Sequence, residues 1–405
     1  MSGQSEIQPL RFLPSPVPYD PSPEMRDLMA KCPVSKVALP DGYPVWVSTG
    51  FQETREVMID QRYSRELVFA PGGKVFGVDV AAEGGILAMD PPDHTRLRKL
   101  VSGAFTERRI AGLRPQVTEI VDDLIDGMLA GPRPADLAGS FSRVLPSRVM
   151  CLLLGVPAED TAQFRGWSDQ FFGAWSRPQE EVLQAFAALG AYMADLIARK
   201  RTEPADDLIS VLVDARDTGG KLSETELVNF CIALLAAGYE TTANMISLSF
   251  ALLCQNPAEL ARLRADHGLI PQAVEELLRY VILSGTGNIG LPRVTREEVS
   301  LGGITIPAGE IIIPAFNYAN RDPAVFEDPD RLDVTRDPRT HLAFGAGAHF
   351  CLGAQLARLE LQEAFRGLLA RLPGLRMTVP LPELEFREDQ AITSVLELPV
   401  TWDDA

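Results

Sequence analysis

Between Asp93 and Arg371 the apolar residues recur mostly at three- and four-residue intervals, the spacing that lays one apolar stripe along a helix. This spacing predicts helices over 93–103, 115–129, 137–154, 160–175, 178–200, 205–214, 223–255, 257–265, 271–281 and 352–371. Two of the starts carry local signals. Ser223 followed by Glu226 has the form of a capping box, and Pro257 suits a first helical turn, where its missing N–H costs nothing. Strand-like runs are shorter: 44–47, 75–80, 301–306 and 310–314 about a Pro307-Ala308-Gly309 turn, and a hairpin-like stretch over 386–398. The proline-rich first 20 residues read as an extended arm, and the glycine-rich segment containing Val75–Val80 as a loop or lid. The pattern therefore predicts a mostly α (α+β) fold, a helical body with a small β portion, and not a doubly wound sheet.

The most apolar stretch, Phe230–Cys254, would span about 37 Å as a helix, enough to test against a membrane. Glu240, Thr241, Thr242 and Asn244 interrupt it near its middle, which favours a buried helix crossing a core. With 46% apolar and 23% charged residues in 405, the chain can bury the core of a large enzyme. No Gly/Ser linker or internal repeat marks a boundary, so a single domain over 1–405 is expected. A formal charge of -17 disfavours nucleic acid and anionic membrane as partners. Five scattered cysteines, at 32, 151, 231, 254 and 351, and an N-terminus without a basic-plus-apolar leader fit a reducing cytoplasm better than a disulfide scaffold.

Chemistry concentrates in FGAGAHFCLG, Phe344–Gly353, where Cys351 sits in a glycine-bearing turn directly before a helical pattern. A thiolate is a strong donor to haem iron, and N–H groups of a following helix stabilise its charge. Gly345 and Gly347 permit a tight backbone close to a flat ligand, and Gly353 leaves room for a macrocycle; the bland alternative for a lone cysteine is a small buried hydrophobe. A dinucleotide fingerprint fails because Phe350 stands at the third glycine position, and HExxH, CxxC and G-x-S-x-G are absent. On the long helix Glu240 and Thr241 offer an acid beside a hydroxyl, next to the small residues Ala236, Ala237 and Gly238, where a ligand could lie; Thr241 can equally bond back to its own helix. Glu276 and Arg279 share a helical face and matter if buried, where a second arginine such as Arg331 would complete a network. His94, Arg98, Arg293 and His349 supply the donors that a ligand with two carboxylates needs. From Arg96 to Arg114 six basic residues face one acidic residue, a patch able to steer an acidic protein.

Together these motifs resemble the cytochrome P450 superfamily, soluble bacterial type, across essentially the whole chain. The resemblance implies a cytochrome P450 fold around haem b (iron protoporphyrin IX), with Cys351 as axial thiolate and metal ligand, Phe344, Gly345 and Gly353 about the haem, and His349, His94, Arg98 and Arg293 at its propionates. AGYETT, Ala237–Thr242, looks like the oxygen-activation motif, with Glu240 and Thr241 as its acid and hydroxyl. ELLR, Glu276–Arg279, and PDRLD, Pro329–Asp333, look like the buried charge motif and the region carrying its third member, Arg331; Leu332 replaces a phenylalanine frequent there. The implied activity is a monooxygenase that uses O2 and two electrons from a separate ferredoxin and ferredoxin reductase, docking near Cys351, Arg96, Lys99 and Arg109, to hydroxylate or epoxidise a medium-sized, largely apolar secondary-metabolite intermediate. Alternatives are oxidative coupling or ring formation without oxygen insertion, and a non-catalytic haem sensor or carrier. Implied pocket walls are Phe76, Val80, Leu87, Phe171, Phe172, Trp175, Leu234, Ala237, Gly238, Ile289 and Ile392, any of which could be ordinary core; the stretch from Tyr280 to Pro292 is longer than in many relatives.

Overall fold

The computed structural model describes the chain except for residues 1–7, 11–14, 16, 18, 41, 71–73, 76–77, 80–84, 164–165, 168–178, 220–222, 284–289, 338–339, 388–391 and 405. It groups into two compact units: Met1–Thr95 with Glu276–Leu332 and Asp337–Cys351, and Arg96–Glu275 with Asp333–Arg336 and Leu352–Ala405.

The first unit is built on a six-stranded sheet. Its strands are β1 (Gln8–Pro9), β2 (Val34–Ala38), β3 (Pro44–Ser48), β4 (Tyr63–Ser64), β5 (Arg293–Thr295) and β6 (Ile311–Pro314), in the order β1-β2-β3-β6-β5-β4. β2 and β3 form an antiparallel hairpin from Val34 opposite Ser48 to Ala38 opposite Pro44. β6 then joins β3 in parallel, with Ile312 opposite Trp46, and pairs antiparallel with β5, with Ile312 opposite Arg293. Alternation along these short strands buries two groups of side chains: Val37, Val45, Val47 and Ile313 with Met25 and Leu28 of the helix Pro23–Lys31, and Val34, Tyr63 and Ile312 with Val57 of the helix Phe51–Ile59. The expected strand over 301–306 is in fact a hairpin. Gly302 and Gly303, at φ +56° and +77°, reverse the chain so that Leu301 pairs with Ile304, a conformation glycine adopts without a Cβ penalty.

The same unit holds the buried charge pair. Glu276 and Arg279, both fully buried on the helix Ile270–Tyr280, meet through two hydrogen bonds of 2.7 and 2.9 Å, and Nη1 of Arg279 also donates to the carbonyls of Asn320 and Pro329. The second buried arginine there is Arg321 and not Arg331, which is exposed. Arg321 donates to the Tyr280 carbonyl, Asp20 and Asp330, and its guanidinium lies 3.4 Å from the centroid of the Tyr280 ring. The sequence reading missed this because Arg321 sits in a turn, where no periodicity marks it as inward-facing.

The second unit is helical. Its axis is the 32-residue helix Glu224–Gln255, about 48 Å long, which opens with the expected Ser223–Glu226 capping box. Against it pack Val144–Leu154, Gln179–Thr202 and Ala354–Arg371. Ala354–Arg371 also crosses Arg114–Ala130, and Gly367 makes that approach possible: a Cβ there would lie 2.4 Å from Val121. The helix expected over 137–154 is split into a π-helical stretch, Ala138–Ser142, and the α-helix Val144–Leu154. A small sheet orders Arg376–Met377, Pro399–Thr401 and Ala135–Asp136, and the expected tail hairpin pairs Phe386–Arg387 with Ser394–Val395. Among the described residues no helix is long and apolar enough to cross a membrane.

Candidate active site

The cysteine loop is shaped by its own backbone. Gly345 and Gly347 both take φ +71°, the amide of Gly345 donates to Leu342, and the amide of Cys351 donates to the Phe344 carbonyl at 2.8 Å. Asn320, fully buried, steadies the approach by accepting from the amide of Leu342 at 2.6 Å. The result is an exposed Cys351, whereas Cys151 and Cys231 are buried and burial pushes their thiols up to about 11 and about 12. Phe344 lies edge-on to Phe350, their centroids 6.4 Å apart. Gly347 serves a further purpose besides the tight turn: a Cβ there would meet the Met58 carbonyl at 2.7 Å, so the glycine also admits the end of the helix Phe51–Ile59. At Gly353, just before the helix Ala354–Arg371, a Cβ would meet nothing within 4 Å.

Around the loop the first unit gathers two histidines and two buried arginines. His94 is buried at the start of the helix Asp93–Ser102, and its ring centroid lies 4.3 Å from that of His349. Arg293 is 4% exposed on β5, its Nη1 donating to the carbonyls of Leu291 and Pro292. Arg65, 3% exposed and directly after β4, donates to the same Pro292 carbonyl at 2.7 Å and to Leu87 at 3.0 Å. The strand register explains the meeting. Tyr63 is opposite Thr295 and Ser64 opposite Val294, so one further step sets Arg65 across from Arg293. Neither guanidinium makes an ion pair among the described residues. Burial lowers Arg293 to about 9, helped by Arg65 and resisted by Asp90, and burial lowers Arg65 to about 10. Both stay charged at neutral pH. Burial, then Arg293, His94 and Arg65, push His349 down to about 3, leaving a neutral imidazole whose buried Nε2 has no hydrogen-bond partner among the described residues.

Asp90 is the carboxylate of this cluster, but it is spent elsewhere. It accepts from Ser64 Oγ, the amides of Arg65 and Glu66, and Arg296 Nη2. Burial raises its pKa, and these hydrogen bonds more than reverse that and hold it below the ordinary value. Two buried guanidiniums without a carboxylate partner and a histidine nitrogen without a partner, among the described residues, together with an exposed thiol fit haem, with its two carboxylates and its iron. Arg65 and Asp90 were not singled out in the sequence. Arg65 lies three residues from Arg62, which merely pairs with Asp60, and only the β4–β5 register distinguishes the two.

In the second unit Glu240 is 8% exposed on the long helix and Thr241 is half-buried, with its hydroxyl donating to the Ala237 carbonyl at 2.7 Å. The back-bond anticipated as the alternative is therefore present, and it leaves the Oγ1 lone pairs available to accept. Arg98, half-buried, falls in this unit, one turn beyond His94 on their common helix. Gly238 departs from the expectation that it opens a ligand pocket: a Cβ there would lie 2.6 Å from the Met150 sulfur, so its smallness serves the packing of Val144–Leu154. Of the other wall candidates, Leu87 is 49% exposed, Ala237 is exposed, and Leu234 and Ile392 are half-buried. Phe76, Val80, Phe171, Phe172, Trp175 and Ile289 lie outside the described residues. The basic patch is smaller than its composition: Arg96 pairs with Glu226, Arg109 with Asp206 and Arg114 with Glu363, while Lys99 and Arg108 are exposed.

Comparison with known proteins gives a consistent set of likenesses. A family model described as Cytochrome P450 matches residues 168–373. The chain is 47% identical over 371 residues to a mycinamicin IV hydroxylase/epoxidase of Micromonospora griseorubida, covering 91% of this chain and 92% of that protein. It is 42% identical over 390 residues to a nocardicin C N-oxygenase of Nocardia uniformis subsp. tsuyamanensis, covering 96% and 97%. Among solved structures, that of the mixed-function P450 MycG superposes with a TM-score of 0.91 at 43% identity, over 98% of this chain and all of the other.

Proposed function

Because the chain belongs to the cytochrome P450 family, we propose that its reaction is carried by Cys351 as axial thiolate, by His94, Arg98, Arg293 and His349 as partners of the haem carboxylates, and by Glu240 and Thr241 as proton handlers. The protein is a haem-thiolate monooxygenase of secondary metabolism, and its cofactor is haem b. Bound haem supplies the activation of O2, in which two electrons and two protons reduce one oxygen atom to water while the other enters a C–H or C=C bond of the substrate. The chain's residues organise that chemistry. The loop amides and the two glycines hold the Cys351 thiol outward, with the Cys351 amide bonded to the Phe344 carbonyl. Thr241, with its proton committed to Ala237, accepts a hydrogen bond and so orders a proton-bearing water, while Glu240 supplies protons from a buried carboxyl.

The finer assignments follow the same reading. Residues 1–405 form one haem domain, matched to its relatives over most of its length. Electrons arrive singly from a separate ferredoxin and its reductase, and the protein acts in the cytoplasm. Leu234, Ala237 and Ile392, apolar yet accessible, contact a medium-sized, largely apolar scaffold. Hydroxylation or epoxidation is the reading favoured by the hydroxylase/epoxidase and N-oxygenase relatives.

The observation that carries the proposal is the exposed Cys351 on its glycine-built turn. Reduced protein under CO should show the red-shifted Soret band of thiolate-ligated haem, and Cys351→Ala should lose it. A correctly folded, haem-loaded wild type without that band overturns the assignment. For the proton route, Thr241→Ala should consume electrons while forming less product per electron; an unchanged yield removes Thr241 from the scheme.

A further inference from the structure

We infer that Arg65 is a second arginine anchor for the haem carboxylates, paired with Arg293 across β4 and β5. The inference rests on the haem-binding reading above and deepens it. Two guanidiniums set side by side in a sheet repel one another, and like charges directly opposite are destabilising even at exposed positions. Here both are buried and both lean on the single Pro292 carbonyl, at 2.7 Å from Arg65 and 3.3 Å from Arg293. Carbonyl oxygens supply dipoles but not a neutralising charge. The nearby carboxylate, Asp90, receives the main-chain N–H of Arg65 and the side chain of Arg296, and neither buried guanidinium. Nη2 of Arg65 and Nη2 of Arg293 make no hydrogen bond among the described residues, which leaves a donor on each without a partner there.

The alternative role for Arg65 is mechanical. Its Nε and Nη1 tie the turn Gly85–Ala88, through Leu87, to the chain just before β5, and its guanidinium stacks 5.1 Å from the Phe69 ring. Those contacts fix where the side chain points, but a neutral side chain could fill the space without burying a charge. A buried cation without a hydrogen-bonded counter-charge persists where it meets an anion in the working protein.

The test uses the haem-loaded enzyme and two readouts that do not depend on turnover: the rate of haem transfer to excess apomyoglobin and the haem reduction potential. Arg65→Met should release haem roughly 10- to 100-fold faster, the value expected for a charge-assisted hydrogen bond. Its potential should move to more negative values, because a cation near the haem favours the reduced state. Arg65→Lys should restore most of the potential, since it keeps the charge, and Arg62→Met should change neither readout. Release within twofold of wild type, or faster release with an unchanged potential, overturns the inference and leaves Arg65 a packing residue. If Arg65→Met cannot be loaded, Arg65→Gln and Arg65→Lys make the same comparison, and equal potentials in that pair overturn it as well. Failure of the wild type to show the thiolate–CO band would instead defeat the haem reading itself, so the two failures are distinguishable.

Discussion

Four arginines are buried among the described residues, all in the first unit, and they divide into two kinds. Arg279 and Arg321 are saturated: each has a carboxylate at hydrogen-bonding distance, carbonyls at its remaining donors and an aromatic ring against its face. Arg65 and Arg293 have carbonyls, and Arg65 the Phe69 ring as well, but neither has a carboxylate at hydrogen-bonding distance among the described residues. Burial is the same in both pairs, so burial alone does not separate scaffold from site. What separates them is whether the protein itself supplies the counter-charge. A closed network stabilises the unit that contains it, whereas an open one is complementary to something the chain does not provide.

Breaking the closed pair should give the largest effect. Glu276→Ala strands the Arg279 guanidinium, fully buried, and should cost roughly 3–5 kcal/mol, read as a fall in the urea midpoint. Removing both charges, Glu276→Leu with Arg279→Met, should cost less than the single change, because no unpaired ion is left behind. A single substitution costing under about 1 kcal/mol would mean that Arg279 is satisfied by Asn320 and Pro329 alone, and the distinction between the two kinds would weaken. The open pair should respond in the opposite manner. Arg293→Met should barely alter the urea midpoint of the haem-free chain, since it relieves a like-charge contact, yet haem should leave roughly 10- to 100-fold faster. Equal losses of stability with and without haem would make Arg293 a scaffold residue.

The same contrast explains what was legible in the sequence. Signals that act within one turn of helix were readable: Ser223 with Glu226 and Pro257 place two helix starts where the structure has them. Glu276 and Arg279, three residues apart, are likewise a local pair. The sheet was not readable as a sheet, because β3 and β6 are joined from opposite ends of the chain and each is only a few residues long. Arg321 and Arg65 were missed for that reason, since their neighbours come from distant segments. Glycine was the least decisive signal. Gly238 was read as room for a ligand and Gly347 as a tight turn close to one, and the space beside them is taken by Met150 and by the end of the helix Phe51–Ile59. A missing Cβ says that something comes close, but the sequence does not say what.

Asp90 offers the finest division between the two kinds of network, with the smallest expected effect. Its carboxyl is held below its ordinary value of 3.8, because the hydrogen bonds from Ser64, Arg65, Glu66 and Arg296 outweigh the cost of burial. A carboxylate whose folded pKa is depressed contributes stability that is complete above its unfolded pKa and disappears as pH falls through the folded one. Asp90→Asn should therefore lower the urea midpoint modestly at pH 7, and the gap to wild type should close as the pH is taken below 3.8. Haem retention should follow charge and not stability: with one negative group fewer beside Arg65 and Arg293, transfer to apomyoglobin at pH 7 should be no faster than in wild type. If Asp90→Asn instead loses haem as quickly as Arg293→Met, the cluster holds its ligand through the integrity of the turn that Asp90 fastens. The two open arginines would then differ from the two closed ones only in lacking a partner, and not in having a purpose for which that partner is left out.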